Sequence, residues 1–339
     1  MASQFGSLIS KDFYNNFIFK SDDTRNRDGG FSAWILLRSR FSKKRIELNT
    51  EDVNKNCLPC FNIHLDAQLS SDSLIPNYLI MLEAPQVYPL NANIKILDKY
   101  RRVFTWRDDL VDNQRFIKIN FPNNIVIPNV DGFSGRDKFC CLISSNKSLS
   151  TRDCVDLYLE RVKTIKWFEK NAIADFRLYG SGWDNPAIGR GMLGKVIRIM
   201  MKRFGFLKKY VWFPSYCGVV EKKTDVLKKT KFSICYENVS DLPGYITEKI
   251  FDCFFSGCVP VYWGACNITD YIPADCFIDR RQFNDTESVY LHLKAMPEQE
   301  FIHYQQRIAA FLKSDKAYVF SSEHFAETIV NTIVQDLAA

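Results

Sequence analysis

KFSICYENVSDLPGYITEKIFDCFFSGCVPVYWG, running from Lys231 to Gly264, is the stretch from which the fold can be read. Phe232, Ile234 and Tyr236 alternate with Ser233 and Cys235, the period of a pleated strand. Glu237 to Gly244 gathers Asn, Ser, Asp, Pro and Gly, which is loop chemistry. Thr247 can cap a helix whose apolar face is Ile250, Phe251, Phe254 and Phe255. Gly257 is placed to end that helix, and Val259 to Trp263 reads as the next strand, with Pro260 near its start. The whole is a β-loop-α-β unit, the building block of a parallel sheet. Its loop and helix start collect Glu237, Asn238, Tyr245, Thr247, Glu248 and Lys249. A helix N-terminus attracts phosphate through its free N–H groups and dipole, and Lys249 adds a point charge there.

The run YENVSDLPGYITEKIFDCFFSGCVPVYWG closely resembles the donor-binding signature of the α1,3-fucosyltransferases, glycosyltransferase family 10. That signature joins an aromatic-Glu-Asn step, a Tyr-Ile/Val-Thr-Glu-Lys step and a Gly-x-x-Pro-Ile/Val-x-x-Gly step. The resemblance implies an α/β chain of the GT-B class, two Rossmann-like domains facing a cleft. Residues 1–134 would form the acceptor-binding domain and 135–312 the GDP-fucose-binding domain, with 313–339 a closing helical segment. A linker rich in Gly, Asp and Pro, Pro128 to Lys138, fits that division.

A chain of 339 residues has room for two domains of ordinary size. Hydrophobic content of 46% with 25% charge excludes a disordered chain, and a net charge of +6 suits an anionic partner. No run of 18 apolar residues occurs, and the first residues, MASQFGSLISKDFYNN, lack a basic region followed by an apolar core. The expectation is a cytoplasmic protein that resembles the soluble bacterial type of the family. Eleven cysteines, an odd number, with Cys140, Cys141, Cys235 and Cys253 inside apolar patterns, read as reduced thiols. Cys57-x-x-Cys60 has no second Cys or His pair nearby, so no metal site is expected. The sequons at Asn146, Asn238, Asn267 and Asn284 carry no weight without a secretory route.

Along the chain, the first 30 residues read as a lead-in element and a loop. Tyr78 to Leu82 is a buried strand followed at once by Glu83. Ligands of open α/β sheets bind at strand ends, so Glu83 is a catalytic candidate. Phe139 to Ile143 is another buried strand, and a helix is expected from Thr151, with Arg152 in its first turn. A cation there opposes the helix dipole unless an anion is bound. Gly189 to Lys195 matches both a dinucleotide and a phosphate-loop pattern. The first needs direct succession to a strand, and the second lacks its hydroxyl because Val196 follows Lys195, so both are rejected.

Residues 190–209 hold seven cations, and no Asp or Glu occurs between Asp184 and Glu221. Apolar residues interleave with them, so this segment is either a peripheral membrane contact or a packed helix with a solvated basic face. No nucleic-acid-binding pattern accompanies it.

The resemblance implies inverting transfer of L-fucose from GDP-fucose to a hydroxyl of an oligosaccharide or lipid-linked glycan, at O3 of N-acetylglucosamine or glucose. Glu83 would be the general base, and Arg152 and Lys249 would neutralise the diphosphate. Asn238, Tyr245 and Glu248 would bind phosphate, ribose or fucose, without apportionment among them. Glu237 either serves the site or caps the loop. No cofactor is required on this reading, with Mn2+ or Mg2+ at most stimulatory. The alternatives are a GT-B transferase using another nucleotide sugar, or a non-catalytic protein binding membranes or nucleic acid through the basic segment.

Overall fold

The computed structural model describes residues 4–54, 58–69, 75–149, 156–185, 196, 199, 200 and 212–339. It divides into two compact units, one of Met1–Ile125, Pro243–Tyr245 and Ala317–Ala339, the other of Val126–Leu242 and Ile246–Lys316. Each is α/β and built on a parallel sheet.

In the first unit the strands β1 (Gln4–Ile9), β2 (Ile46–Thr50), β3 (Phe61–Leu65), β4 (Asn77–Met81), β5 (Arg102–Thr105) and β6 (Phe116–Lys118) lie in the order β2-β1-β3-β4-β5-β6. All neighbours are parallel. β1 is therefore an interior strand, although its letters QFGSLI read as a polar lead-in. Tertiary contacts explain it. A Cβ on Gly6 would sit 2.4 Å from the Phe61 ring, and the Ser7 hydroxyl is bound by Asn54 Nδ2 at 2.9 Å. The helix Ser32–Lys43 and the closing helix Ser322–Ala338 cover the sheet, with Trp34 edge-on to Phe325 at 5.5 Å. Trp34, Leu37, Phe41, Phe325, Ile329 and Ile333 join the strand residues in one core. Burying each such side chain stabilises the fold by roughly 1.5–3 kcal/mol.

In the second unit β7 (Lys138–Ile143), β8 (Phe176–Tyr179), β9 (Thr230–Tyr236), β10 (Val259–Trp263) and β11 (Ile278–Asp279) lie in the order β11-β10-β9-β7-β8, again parallel. The chain runs outward from β7 to β8, then returns to the other side of β7 and builds β9, β10 and β11. The direction of winding thus reverses between β7 and β9. Such a reversal opens a crevice at the carboxyl ends of the two strands, where open α/β sheets bind ligands.

The β-loop-α-β unit is present as expected, with the helix Glu248–Phe255 joining β9 to β10 and burying Ile250, Phe251, Cys253 and Phe254. The described helix after β7 is Leu157–Asn171, and it begins after Asp156, whose side chain caps it by accepting from Tyr158 N at 2.9 Å. Thr151 and Arg152, where the sequence places the helix start, lie outside the described residues.

Candidate active site

The carboxyl end of β9 delivers Glu237, whose backbone N–H donates to Trp263 O at 2.8 Å. Its side chain has no exposed surface. The carboxylate accepts from Thr247 N at 2.9 Å, Thr247 Oγ1 at 2.7 Å and Lys249 Nζ at 3.0 Å. Thr247 occupies the N-cap position but makes no side-chain cap, because its hydroxyl is turned to Glu237. Glu237 therefore satisfies the helix start from one strand away, and of the two roles left open by the sequence the structure provides the capping one. Gly264 is required beside it, since a Cβ there would lie 2.5 Å from Glu237 Cγ.

Arg161 is a functional candidate that the sequence reading missed. It lies on the helix Leu157–Asn171 and is buried, with Nη2 donating to the carbonyls of Tyr236 at 2.6 Å and Glu237 at 2.7 Å and to Asn238 Oδ1 at 3.2 Å. Its guanidinium also stacks over the Tyr158 ring at 4.8 Å. Arg161 thus holds the end of β9 and turns Asn238 toward the same point. The available signal was a charge at a core position, since Tyr158, Arg161 and Ile165 share one buried stripe.

Between these elements is an open recess whose polar lining includes Ser144, Arg161, Lys223, Lys249 and Asp252. It lies at the reversal point between β7 and β9. Cations and carboxylates alternate around it: Lys223 pairs with Asp252 at 2.7 Å, and Glu248 stands 3.9 Å from both Lys223 and Lys249. Burial disfavours the Lys249 ammonium, but Glu237 and Glu248 outweigh it and raise its pKa. Burial also pushes Glu248 up, yet Lys249 and Lys223 draw it down to about 2. For Asp252 burial wins over Lys223, and its carboxyl is pushed up to about 7. Lys223 and Lys249 both have carboxylate partners, so an arriving anion would exchange partners within a charged cluster. Such a cluster suits a ligand whose charge changes when a bond breaks.

The structure brings Glu237, Asn238, Glu248 and Lys249 together at the end of β9 and the start of the following helix, and of these Lys249 lines the recess. Tyr245 belongs to the first unit, where its buried ring packs on Trp106 at 4.6 Å and meets Phe121 edge-on at 6.0 Å. Glu83 also belongs to the first unit, half-buried at the carboxyl end of β4, where the sequence places it. Arg152 and the glycine-rich stretch 189–195 lie outside the described residues. Of the basic segment 190–209 only Val196, Ile199 and Met200 are described, and all three are exposed. Among the described residues the cysteines are free thiols, Cys57 and Cys154 lying outside that set, and no three metal-ligating side chains stand together. No helix among the described residues is long and apolar enough to cross a membrane.

Comparison with known proteins falls on this same region. Residues 210–322 match the family model described as glycosyltransferase family 10 (fucosyltransferase) C-term. The alpha-(1,3)-fucosyltransferase FucT of Helicobacter pylori is 32% identical over 75 residues, 22% of this chain and 16% of that enzyme. The alpha-(1,4)-fucosyltransferase of Arabidopsis thaliana is 35% identical over 66 residues, 20% of this chain and 16% of that enzyme. The matched stretch thus spans about one sixth of either relative. The likeness in fold is wider. A crystal structure of alpha1,3-fucosyltransferase superposes with a TM-score of 0.55 at 15% identity, covering 97% of this chain and 91% of that one. A structure of alpha1,3-fucosyltransferase with GDP-fucose gives 0.50 at 15% identity and 93% of each chain. The fold is that of the GT-B glycosyltransferases, and residues 210–322 are similar to the C-terminal domain of glycosyltransferase family 10 (fucosyltransferase).

Proposed function

We propose that the protein is a fucosyltransferase that moves L-fucose from GDP-fucose to a hydroxyl of an oligosaccharide, with inversion at the transferred carbon. One coincidence carries this reading: the family match covers the strand end and helix start whose Tyr236, Lys249 and Asp252 line the recess at the β7/β9 reversal. The second unit is the donor half on this reading and the first the acceptor half. The acceptor oxygen attacks C1 of fucose, the bond from C1 to the diphosphate oxygen breaks, and Glu83 takes the hydroxyl proton. Lys249 and Arg152 face the diphosphate, while Asn238, Glu248 and Tyr245 complete donor binding. The Tyr245 part is the least direct, since its ring is buried on Trp106 and holds the loop that bears it. No metal is required for a leaving group that cations already neutralise.

The acceptor is an oligosaccharide or lipid-linked glycan, taken at O3 of N-acetylglucosamine or glucose. A peripheral position at the cytoplasmic face of a membrane fits the second acceptor. Its support is the exposed trio Val196, Ile199 and Met200, spaced i, i+3 and i+4 within the acid-free basic segment.

The deciding experiment incubates the protein with GDP-fucose, GDP-mannose and UDP-sugars, each with lactose and N-acetyllactosamine, and reads product mass and linkage. Fucose added from GDP-fucose alone is the expected outcome. Transfer from a different nucleotide sugar would replace the donor assignment by the other GT-B reading.

A further inference from the structure

Asp66 follows directly on β3 and adopts φ +56, a left-handed conformation that non-glycine residues seldom take. Its backbone N–H donates to Ile80 O at 3.0 Å, which ties it to β4. Its Oδ1 then accepts three bonds: from Leu82 N at 2.9 Å, Glu83 N at 3.0 Å and Asn91 Nδ2 at 2.8 Å. Asn91 is fully buried and completes a ring, with Nδ2 also donating to Glu83 O at 2.9 Å and Oδ1 accepting from Ala67 N at 2.9 Å. Trp106 Nε1 closes the remaining side by donating to Leu82 O at 3.1 Å. Both backbone polar groups of Glu83 are thus held by side chains, one by Asp66 and the other by Asn91.

Strand ends that lead into loops are ordinarily the looser parts of a sheet. Here one strained residue and one buried amide act on Leu82 and Glu83, the two residues that follow β4. Backbone strain of this kind persists where surrounding contacts over-determine it, and it concentrates at functional sites. We propose that Asp66, with Asn91, is a positioning residue for transfer: it fixes the backbone of Glu83 so that the carboxylate meets the acceptor hydroxyl in one geometry. The inference rests on the reading of Glu83 as the base. It extends that reading to two residues that never touch substrate.

The test uses the full chain and two variants that suit the local backbone. Asp66→Gly keeps the left-handed turn, since glycine tolerates positive φ, and deletes the clamp. Asp66→Asn keeps both the turn and an acceptor oxygen. Turnover is measured for transfer to N-acetyllactosamine, or for hydrolysis of the donor by water, and GDP affinity by calorimetry. Asp66→Gly is expected to lose about 10- to 100-fold in kcat, the range for a displaced reacting group, with donor KM and GDP affinity unchanged. Asp66→Asn is expected to stay within about threefold of the parent in kcat, one misplaced contact at most.

Hydrogen exchange supplies a readout independent of turnover. The amides of Leu82 and Glu83 are expected to be protected in the parent and to exchange freely in Asp66→Gly. Unprotected amides in the parent, a fully active Asp66→Gly, or an Asp66→Asn as impaired as Asp66→Gly each overturns the proposal. Glu83→Gln run alongside separates the two ideas. Full activity there removes the base itself, whereas an inactive Glu83→Gln beside an unaffected Asp66→Gly removes only the clamp.

Discussion

Lys249 Nζ lies 3.0 Å from Oε2 of Glu237, a carboxylate with no exposed surface. The cation that the family signature assigns to the diphosphate is therefore paired with a buried acid. Removing one partner of a buried pair leaves the other charge uncompensated, which is costlier than losing the attraction alone. Lys249→Ala is accordingly expected to destabilise the second unit and, in the protein that remains folded, to weaken GDP binding by about 1–3 kcal/mol, the worth of a charge-assisted hydrogen bond. Arg152→Ala is expected to show the binding loss alone. Calorimetry that finds parental GDP affinity in folded Lys249→Ala would remove the diphosphate role.

Gly244, inside the signature, has φ +80, and a Cβ there would lie 2.2 Å from the Trp106 carbonyl oxygen. Neither the conformation nor the space admits a side chain. Gly244→Ala should cost more than about 1 kcal/mol, since the substituted residue is strained in the folded state. Urea denaturation measures it, and a parental midpoint would show that the loop relaxes at no cost.

Asp336 anchors the closing helix. Arg102 grips it with Nε on Oδ2 at 2.8 Å and Nη2 on Oδ1 at 2.5 Å. Burial acts to raise its pKa, but Arg102 and Arg101 outweigh burial and hold it below the usual carboxylate value. A depressed folded-state pKa contributes stability that is present above the ordinary carboxylate pKa and lost as pH falls through the folded value. Stability should therefore drop below about pH 4, the ordinary aspartate value, and Asp336→Asn should flatten that part of the profile. Denaturation midpoints between about pH 3 and about pH 7 test this, the window being set by the same reference value. Identical slopes for the parent and Asp336→Asn would assign the acid loss to other carboxylates.

Chelation probes how the leaving group is neutralised. With Lys249 and Arg152 as the opposing cations, activity should persist in excess EDTA, with Mn2+ or Mg2+ at most stimulating it. A complete loss on chelation, restored by metal, would require a metal-bridged diphosphate instead.

The basic segment makes a separate claim. Near an anionic surface each Lys or Arg contributes about 1 kcal/mol, falling off within a Debye length. Salt-sensitive co-sedimentation with anionic liposomes is expected, abolished when Lys202, Arg203, Lys208 and Lys209 are replaced by Gln, with activity on a soluble oligosaccharide retained. Parental protein that stays in the supernatant at low salt would leave those charges simply solvated.

From Lys231 to Gly264 the residues alone determine the local structure and the chemistry. Alternation, a loop of turn formers and an apolar helical stripe are short-range patterns, and each acts within a few residues of chain. Glu83 is legible for the same reason, as an acid standing directly after a continuous apolar strand. Other features depend on contacts between distant residues. β1 becomes an interior strand only because Phe61 fills the space above Gly6 and Asn54 binds Ser7. The closing helix joins the first unit through Trp34, Phe325 and the grip of Arg102 on Asp336, none of which its own letters disclose. The roles of Glu237, Arg161 and Asp66 are likewise tertiary. A buried charge is tolerated only where folding brings its partners to it, and here those partners lie 10 to 77 residues away for Glu237 and Arg161 and 16 to 25 for Asp66.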